Sequence, residues 1–442
     1  MKKSVNTLIV RSIALFTILS VFTASCSTAA TDPASTALSG STQTSMNENS
    51  ASVTSETPAP TDAPSIEQWK AATTVTAKEL GISDISGSYF YWSPDANHAI
   101  FIGAIKDDKN KYTQNVYLYS VQDKKITKII DGVYDVNCFM SEPVWSADGT
   151  LATIPFYNLD MEEYPVCVYD IMKGKLDILP IKGTFPSISP DKSKVSYLNN
   201  DNVLCLFNLS DRTTTVLPGK ISGCDFIWFS DSARILFKKF TENSLSKMET
   251  EASRADICIV DTKKPGNIQS LGHESIPGKL TWIIQDELVW DWKRGEGDFY
   301  AVLDLQANKY TNFEEFLGVF YQIRNNEAAY ILIDKEKDYR PGFHSLGRDM
   351  KELGKYLAEI MESKGIGLSL LPDGNLLYIS SKASEKKKTI MVSYKNEKKF
   401  AALSTFEGDY IINRSNNGSR IALIHQDGEK MILIDTAKIS TP

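Results

Sequence analysis

The sequence is poor in the residue types from which catalytic and metal sites are usually built. Its 442 residues include four histidines, which are scattered, and no HExxH, paired CxxC, GxGxxG, GxxxxGK[ST] or GxSxG pattern occurs. We therefore predict no cofactor and no metal, and we identify no catalytic residue. An enzyme with dispersed carboxylates and histidines stays an open alternative, because such a site leaves no local motif.

A strongly basic surface is also missing. The formal net charge is −7, with 48 Lys and Arg against 55 Asp and Glu. A nucleic-acid-binding protein must neutralise phosphates with cationic side chains, so this balance argues against a nucleic-acid partner. The apolar fraction of 42% and the aromatic fraction of 10% are typical of a globular domain with a core.

The N-terminus has an apolar run that is too short to span a bilayer comfortably. Lys2, Lys3 and Arg11 precede or flank it, the apolar core covers residues 13–22, and small residues lead to Cys26. Positive charge, a short apolar core and small residues are typical of a secretory signal. We therefore predict a signal peptide over residues 1–25, followed by an extracytoplasmic protein.

The cysteine after the small residues resembles a bacterial lipoprotein lipobox. Ala24, Ser25 and Cys26 fit that pattern, whereas Thr23 stands where the family prefers Leu. The resemblance implies cleavage before Cys26, lipid attachment to its sulfur and a firm anchor, since each buried CH₂ contributes about 0.8 kcal/mol. A plain signal peptide with an incidental cysteine is the alternative.

The stretch that follows predicts a disordered tether. Residues 27–65 contain no aromatic residue, no Lys and no Arg, and they are rich in Ser and Thr. Such a segment cannot bury enough apolar surface to offset its chain entropy. Together with Cys26 it forms a predicted lipidated tether, residues 26–65, which resembles those of Gram-positive surface lipoproteins.

A short motif recurs through the remainder of the chain. It reads "YWSPDANHAIFI" at 91–102, "VWSADGTLATIP" at 144–155 and "FPSISPDKSKVSYL" at 185–198. Its third residue recurs at intervals of roughly forty to fifty residues, a period typical of four-stranded propeller blades. The positions are Asp95, Asp148, Asp191, Asp231, Asp286, Asn326, Asp373 and Asn417.

Each repeat can be built from physical parts. In the third, "FPSIS" is a short strand, and "SPDK" is a β-turn in which Pro190 presets φ and a short polar Asp191 follows. "KVSYL" then returns, and "VLCLF" is apolar at every position. An unbroken apolar strand is buried on both faces, as the inner strands of a propeller are.

The repeat resembles the WD40-like, TolB-type propeller repeat, in which "SPDG" precedes an aliphatic–aromatic strand. The clearest copies are Ser93-Pro94-Asp95, Ser189-Pro190-Asp191 and Pro372-Asp373-Gly374, and the resemblance covers most of residues 85–436. It implies an all-β fold, a β-propeller of seven or eight four-stranded blades within residues 66–442. We favour eight, with an irregular sixth.

The last repeat lacks a clear outer strand. A strand from residues 73–80 would complete it and close the ring, which removes exposed sheet edges. The alternative is a helix over residues 66–80 capped by Ser65, because "SIEQ" fits a capping box.

The best helical pattern in the chain lies at 343–365, and we expect an inserted amphipathic helix over about 343–364. Apolar residues recur there every three or four positions, with opposite charges at i,i+4. The helix packs on its own propeller in one interpretation and shapes a binding face in the other.

Five cysteines remain besides Cys26. Cys167, Cys205 and Cys258 occupy the same place in successive apolar strands, so we predict buried unpaired thiols, since equivalent positions on stacked sheets are too far apart to bridge. A bridge between Cys138 and Cys224 stays open.

These features favour a membrane-anchored, extracytoplasmic binding or scaffold module that is not an enzyme. We expect a monomer held in the cell membrane through the lipid on Cys26, with an envelope protein, peptide or glycan as partner. The alternative is a propeller hydrolase or lyase with a dispersed site on one face or in the central channel.

Overall fold

A computed structural model describes residues 63–106, 112–133, 142–155, 164–240, 255–275, 279–284, 288–293, 299–313, 316–324, 327–334, 339–345, 351–352, 366–371, 375–380, 387–393 and 400–439. The chain divides into two units, residues 1–59 and 60–442, and all described residues lie in the second. The predicted signal peptide, Cys26 and most of the predicted tether therefore lie outside the described residues. In the described part, no helix has the length and apolarity needed to cross a membrane.

The described residues are almost entirely β-structure, arranged in four-stranded antiparallel units that we number in chain order. The first strand, β1 (Ala72–Thr76), and the short helix α1 (Ala77–Leu80) precede unit 1. Unit 1 contains β2 (Asp84–Trp92), β3 (His98–Lys106), β4 (Tyr112–Ser120) and β5 (Lys125–Val133). Unit 2 contains β6 (Val144–Trp145), β7 (Leu151–Pro155), β8 (Pro165–Asp170) and β9 (Lys175–Lys182). Units 3 and 4 share one sheet of β10 (Thr184–Ile188), β11 (Lys194–Leu198), β12 (Val203–Asn208), β13 (Thr214–Trp228), β14 (Arg234–Phe240), β15 (Ala255–Asp261) and β16 (Ile268–Ser275).

The remaining units follow the same plan. Unit 5 contains β17 (Lys279–Ile284), β18 (Leu288–Lys293), β19 (Phe299–Asp304) and β20 (Lys309–Phe313). Unit 6 contains β21 (Phe316–Arg324), β22 (Glu327–Asp334), β23 (Tyr339–Ser345) and β24 (Lys351–Glu352). Unit 7 contains β25 (Ile366–Leu370), β26 (Leu376–Ser380), β27 (Lys387–Ser393) and β28 (Phe400–Glu407). Unit 8 contains β29 (Tyr410–Arg414), β30 (Arg420–His425) and β31 (Lys430–Asp435), and a 3-10 turn (Thr436–Lys438) follows.

One long strand explains why units 3 and 4 share a sheet. The first part of β13 pairs with β12, from Thr214 to Lys220, and its second part pairs with β14, from Ile221 to Trp228. The strand therefore ends one four-stranded unit and begins the next without an intervening loop.

The third strand of a unit is buried on both sides, as its unbroken apolar sequence predicts. In β8, Cys167 and Tyr169 pack in a cluster with unit 1, whereas Val166 and Val168 pack in a cluster with unit 3. Alternate side chains of a strand point to opposite faces, so a strand that lies between two neighbouring sheets must be apolar at every position.

Tryptophans at the end of the first strand add polar links between neighbouring units. The Trp92 indole donates to Asn413 O of unit 8 at 3.3 Å, and the Trp228 indole donates to Ser187 O of unit 3 at 3.3 Å. Both rings are buried. The indole N–H therefore finds an acceptor on the preceding unit while the ring fills the interface.

The N-terminal strand completes the last unit. β1 pairs antiparallel with β31, from Ala72 opposite Ile434 to Thr76 opposite Lys430. The predicted strand is confirmed for residues 73–76, whereas residues 77–80 form α1. The capping box lies at Thr76 and Glu79, whose side chains bond each other's backbone N–H groups, and not at Ser65.

The segment before β1 is fixed to the neighbouring unit. Thr405 N donates to Pro64 O at 3.0 Å, and Ile66 N donates to Thr405 O at 2.9 Å, so this segment forms a parallel bridge with the outer strand of unit 7. Ile66 is buried in the cluster between units 7 and 8. The chain thus pairs with the outer strand of unit 7 and then forms the outer strand of unit 8 before it enters unit 1.

The prediction of a helix at 343–365 needs correction where the structure describes it. Phe343–Ser345 belong to β23, and Lys351 and Glu352 form β24, in register with Phe343 and Gly342. Both strands extend the sheet formed by β21 and β22, so ladder pairing with the neighbouring strands overrides the local helical pattern. Residues 346–350 and 353–365 lie outside the described residues. β24 is described over two residues only, so the irregular sixth blade stays a prediction.

Candidate interaction surface

The recurring Ser-x-Asp motif forms a four-residue turn between the first and second strands of its unit. In unit 3, Ser189 Oγ donates to Asp191 Oδ1 at 2.7 Å and accepts from Lys194 N at 2.9 Å. Asp191 Oδ1 also accepts from Ser193 N at 3.0 Å. The serine hydroxyl therefore bridges the two ends of the turn, and the carboxylate holds its backbone.

The same arrangement recurs in neighbouring units. Ser93 donates to Asp95 in unit 1 at 2.6 Å, and Ser146 donates to Asp148 in unit 2 at 2.8 Å. In unit 8, Ser415 donates to Asn417 Oδ1 at 2.9 Å. Unit 4 has Phe229 in place of the serine, and Asp231 alone binds the backbone of its turn. The turns predicted at Asp286, Asn326 and Asp373 lie outside the described residues.

The residue after the Asp or Asn adopts a left-handed conformation in every described turn. Gly149 and Gly418 do so with φ of 68°, where glycine carries no steric penalty. Ala96, Lys192 and Ser232 occupy the same position with φ of 58°, 62° and 56°. A residue with a Cβ pays a conformational cost there, of roughly 1–2 kcal/mol.

Three hydrogen bonds join the turns side to side. Asn417 Nδ2 of unit 8 donates to Pro94 O of unit 1 at 2.9 Å. Lys192 Nζ of unit 3 lies 2.6 Å from Asp148 Oδ2 of unit 2. Asp191 N of unit 3 donates to Ser232 Oγ of unit 4 at 2.8 Å. We call the turns of units 8, 1, 2, 3 and 4 together the turn face.

Hydrogen bonds keep the carboxylates of the turn face ionised. The Lys192 ammonium lowers the pKa of Asp148 well below its usual range. Partial burial raises the pKa of Asp95 and Asp191, but bonds from Ser93 and Ser189 and from the following backbone outweigh it, so both values are lowered. These carboxylates act as acceptors that stabilise their turns.

The sequence-predicted site residues are not brought together. Cys26 and Cys138 lie outside the described residues, and of Cys224 only the backbone, in β13, is described. Of the histidines, His98 begins β3 at the turn face and His425 ends β30 at the opposite end of its unit. Within the described ranges, no three His, Cys, Asp or Glu side chains are grouped so that they could hold a metal.

The three cysteines of the repeat are buried and unpaired, as predicted. Burial raises the pKa of the Cys167 and Cys258 thiols to about 12, and that of Cys205 as well. A thiol held in its protonated form is a poor nucleophile and a poor metal ligand. These cysteines therefore serve as small core side chains.

Sequence reasoning missed the links between turns. Asn417 stands where four other turns have Asp, and that difference was the available signal, because only the amide can donate to Pro94 O. Which turns lie side to side depends on how the units pack, and that information is not local in the sequence.

No protein-family model matches the chain, and no curated protein matches it in a sequence search. Among solved structures, dipeptidyl peptidase 4 of Porphyromonas gingivalis is similar, with 11% identity and a TM-score of 0.51 over 80% of this chain and 58% of that one. The Dos1 propeller is similar with 11% identity and a TM-score of 0.50, over 82% and 95%. At this identity the likeness shows the fold alone, a β-propeller.

Proposed function

We propose that this chain is a lipid-anchored, eight-bladed β-propeller that binds an envelope protein, peptide or glycan without chemistry of its own. One observation carries the proposal. The turns of five units lie at the same end of their sheets, and hydrogen bonds join the turn of unit 8 to that of unit 1 and the turns of units 2, 3 and 4 to one another, which makes a rigid surface of exposed loops. Loops held by a rigid scaffold are the usual place for recognition on such folds.

The number of blades is supported by the strand pairing. The described strands fall into eight four-stranded units once β13 is divided between units 3 and 4. Unit 8 lies against unit 1 through the hydrogen bonds of Trp92 and Asn417. A sheet arrangement whose last unit meets its first leaves no open end, which is how propellers protect their edges.

The anchor is supported by the sequence around Cys26 and by where the chain enters the domain. Pro64 lies beside Thr405, near the end of β28. The turn between β25 and β26 lies at one end of unit 7, where Leu370 pairs with Leu376. The end of β28 lies at the opposite end of the unit, where Glu407 pairs with Lys387. The tether would therefore join the domain at the end opposite the turn face.

Metabolic labelling tests the anchor. The full chain, tagged at its C-terminus, is expressed in a bacterium fed with an alkyne fatty acid, and membranes are separated from soluble fractions. We expect label and membrane retention for the wild type and for Cys138→Ala, and loss of both for Cys26→Ala. Label that persists in Cys26→Ala would contradict the anchor.

Recovery of a partner tests the binding role. The tagged chain is crosslinked in intact cells and purified from detergent-solubilised membranes, with the Cys26→Ala chain as a control for non-specific capture. We expect a stoichiometric envelope partner with the anchored chain. Turnover of an envelope peptide or glycan by the purified chain would contradict the binding role and favour a propeller enzyme.

A further inference from the structure

A second set of loops lies at the same end as the turn face. In units 1 to 4 the hairpin between the third and fourth strands is bonded to the turn of its own unit. Val121 N donates to Asn97 O at 2.9 Å in unit 1, and Ile171 N donates to Thr150 O at 2.9 Å in unit 2. Units 3 and 4 repeat the bond with Leu209 N to Ser193 O at 2.9 Å and Thr262 N to Ala233 O at 2.7 Å. Because the fourth strand is the outer one, these hairpins form a rim around the turn face.

The rim carries exposed lysines. We call six of them the rim lysines; they lie in the hairpins of units 1, 2 and 4, and all are exposed: Lys124, Lys125, Lys173, Lys175, Lys263 and Lys264. Lys173 forms an ion pair with Asp170 at 2.8 Å, yet its side chain stays 76% exposed. The other five have no ion pair to the described part of the chain.

The turns and the rim differ in the charged side chains that they carry. The carboxylates of Asp95, Asp148 and Asp191 are engaged as acceptors within or between turns. The rim cations are hydrated point charges on long flexible stems. Arg212, in the rim hairpin of unit 3, is engaged with Asp177 of unit 2 at 2.6 Å. The rim hairpins of units 1 to 4 also hold carboxylates, each bonded within its own hairpin: Asp123, Asp170, Asp211 and Asp261. The rim cations outnumber these carboxylates, although the whole chain is negative.

We propose that the rim lysines bind an extended polyanion of the envelope, a glycan polymer that carries phosphate or carboxylate groups at regular spacing. Lysines on adjacent units 1 and 2, continued on unit 4, offer successive cations to successive anions along such a polymer. Lysine suits phosphate and carboxylate as a mobile point charge, and several weak contacts add through counterion release. This inference rests on the proposed function and names its partner class.

The path of the chain leaves the rim accessible to a soluble polymer. The rim lies at the turn-face end of the units, whereas Pro64 lies at the other end. The point at which the predicted tether joins the domain therefore lies at the end opposite the rim.

The experiment compares two variants of equal charge. In the rim variant, Lys124, Lys125, Lys173 and Lys175 are changed to Gln. In the control variant, Lys78, Lys106, Lys182 and Lys387 are changed to Gln; these four are exposed at the opposite end of their units. The full chain in detergent is titrated into fluorescent inorganic polyphosphate and into fluorescent polygalacturonate, at 50 and 200 mM salt, with anisotropy as the readout.

We expect the rim variant to bind about tenfold or more weakly at low salt and to show a salt dependence that is shallower by about three in log–log slope. The control variant should bind within about twofold of the wild type, and both variants should keep the wild-type melting temperature. Equal weakening of both variants would show that net charge alone matters, and it would overturn the proposal, as would no binding by the wild type.

A parallel titration with vesicles containing phosphatidylglycerol separates the two anionic partners. Rim-dependent binding to vesicles that is tighter than binding to either polymer would overturn the polymer in favour of the membrane. Failure of this inference stays distinguishable from failure of the proposed function, because a crosslinked protein partner could still be recovered from cells when no polyanion binds.

Discussion

The bond between the last turn and the first can be tested by changing one atom. In Asn417→Asp, the Nδ2 group that donates to Pro94 O at 2.9 Å becomes a carboxylate oxygen that faces a carbonyl oxygen. The bonds that Oδ1 accepts, from Ser415 Oγ at 2.9 Å and from Ser419 N at 3.0 Å, are available to either side chain. The substitution therefore acts on the link between units 8 and 1 and leaves the turn intact.

Two effects set the magnitude. Loss of one hydrogen bond costs about 0.5–1.5 kcal/mol, and an unpaired carbonyl oxygen that meets a negative charge adds to this cost. We expect a decrease in the free energy of unfolding of about 1–3 kcal/mol at pH 7. The ionised carboxylate carries the penalty, so the difference from the wild type should shrink as pH falls below about 4, where a protonated Asp donates again.

Urea unfolding followed by tryptophan fluorescence provides the assay, at pH 7 and at several lower values. Asn416→Asp is the matched control, because it adds the same charge one residue earlier at an exposed position. A cost for Asn417→Asp no greater than for Asn416→Asp would refute the reasoning, as would a cost that does not change with pH.

Three further outcomes follow from the same contacts. The folded state lowers the pKa of four turn carboxylates: Asp95, Asp148, Asp191 and Asp231. Because the folded state then binds fewer protons than the unfolded state, their contribution to stability should be fully present above about pH 4 and fall below it. A melting temperature that is unchanged or rises between pH 5 and pH 3 would contradict this. Cys167, Cys205 and Cys258 should resist a thiol reagent in native buffer and react in denaturant, as mass spectrometry of the labelled peptides can show; rapid native labelling of any of the three would show that its strand is open. Trp228→Phe should lower the free energy of unfolding by about 1–2 kcal/mol, because Ser187 O and the Ser196 hydroxyl lose the indole donor; Trp292→Phe tests whether any tryptophan change has this effect.

Much of the repeat could be predicted from sequence because its causes are local. A turn that needs Ser, Asp and a left-handed residue produces a short motif that can be recognised in the sequence. A strand with apolar neighbours on both faces must be apolar throughout, as β8 and β12 are. The buried thiols of Cys167 and Cys205 followed from their place in those strands.

The rest depends on how strands and units pair, which the local sequence pattern does not show. Residues 343–365 carry a helical pattern, yet Phe343 pairs with Ala329 and Lys351, because extending an existing sheet satisfies the backbone there. Asn417 and Lys192 gained their roles only when turns of neighbouring units came side by side. In the sequence the rim lysines look like ordinary residues of polar loops, and only the topology shows that they lie at the same end of their units.

The closing strand offers the most direct test of the whole arrangement. Val75 lies opposite Met431, and both side chains are buried on the same face, whereas Ile432 points to the other face of β31. Under mild oxidation, a chain with Val75→Cys and Met431→Cys should form a disulfide between those positions, identified by mass spectrometry, and Val75→Cys with Ile432→Cys should not. Equal crosslinking of both pairs, or of neither, would contradict a propeller closed by its own N-terminal strand.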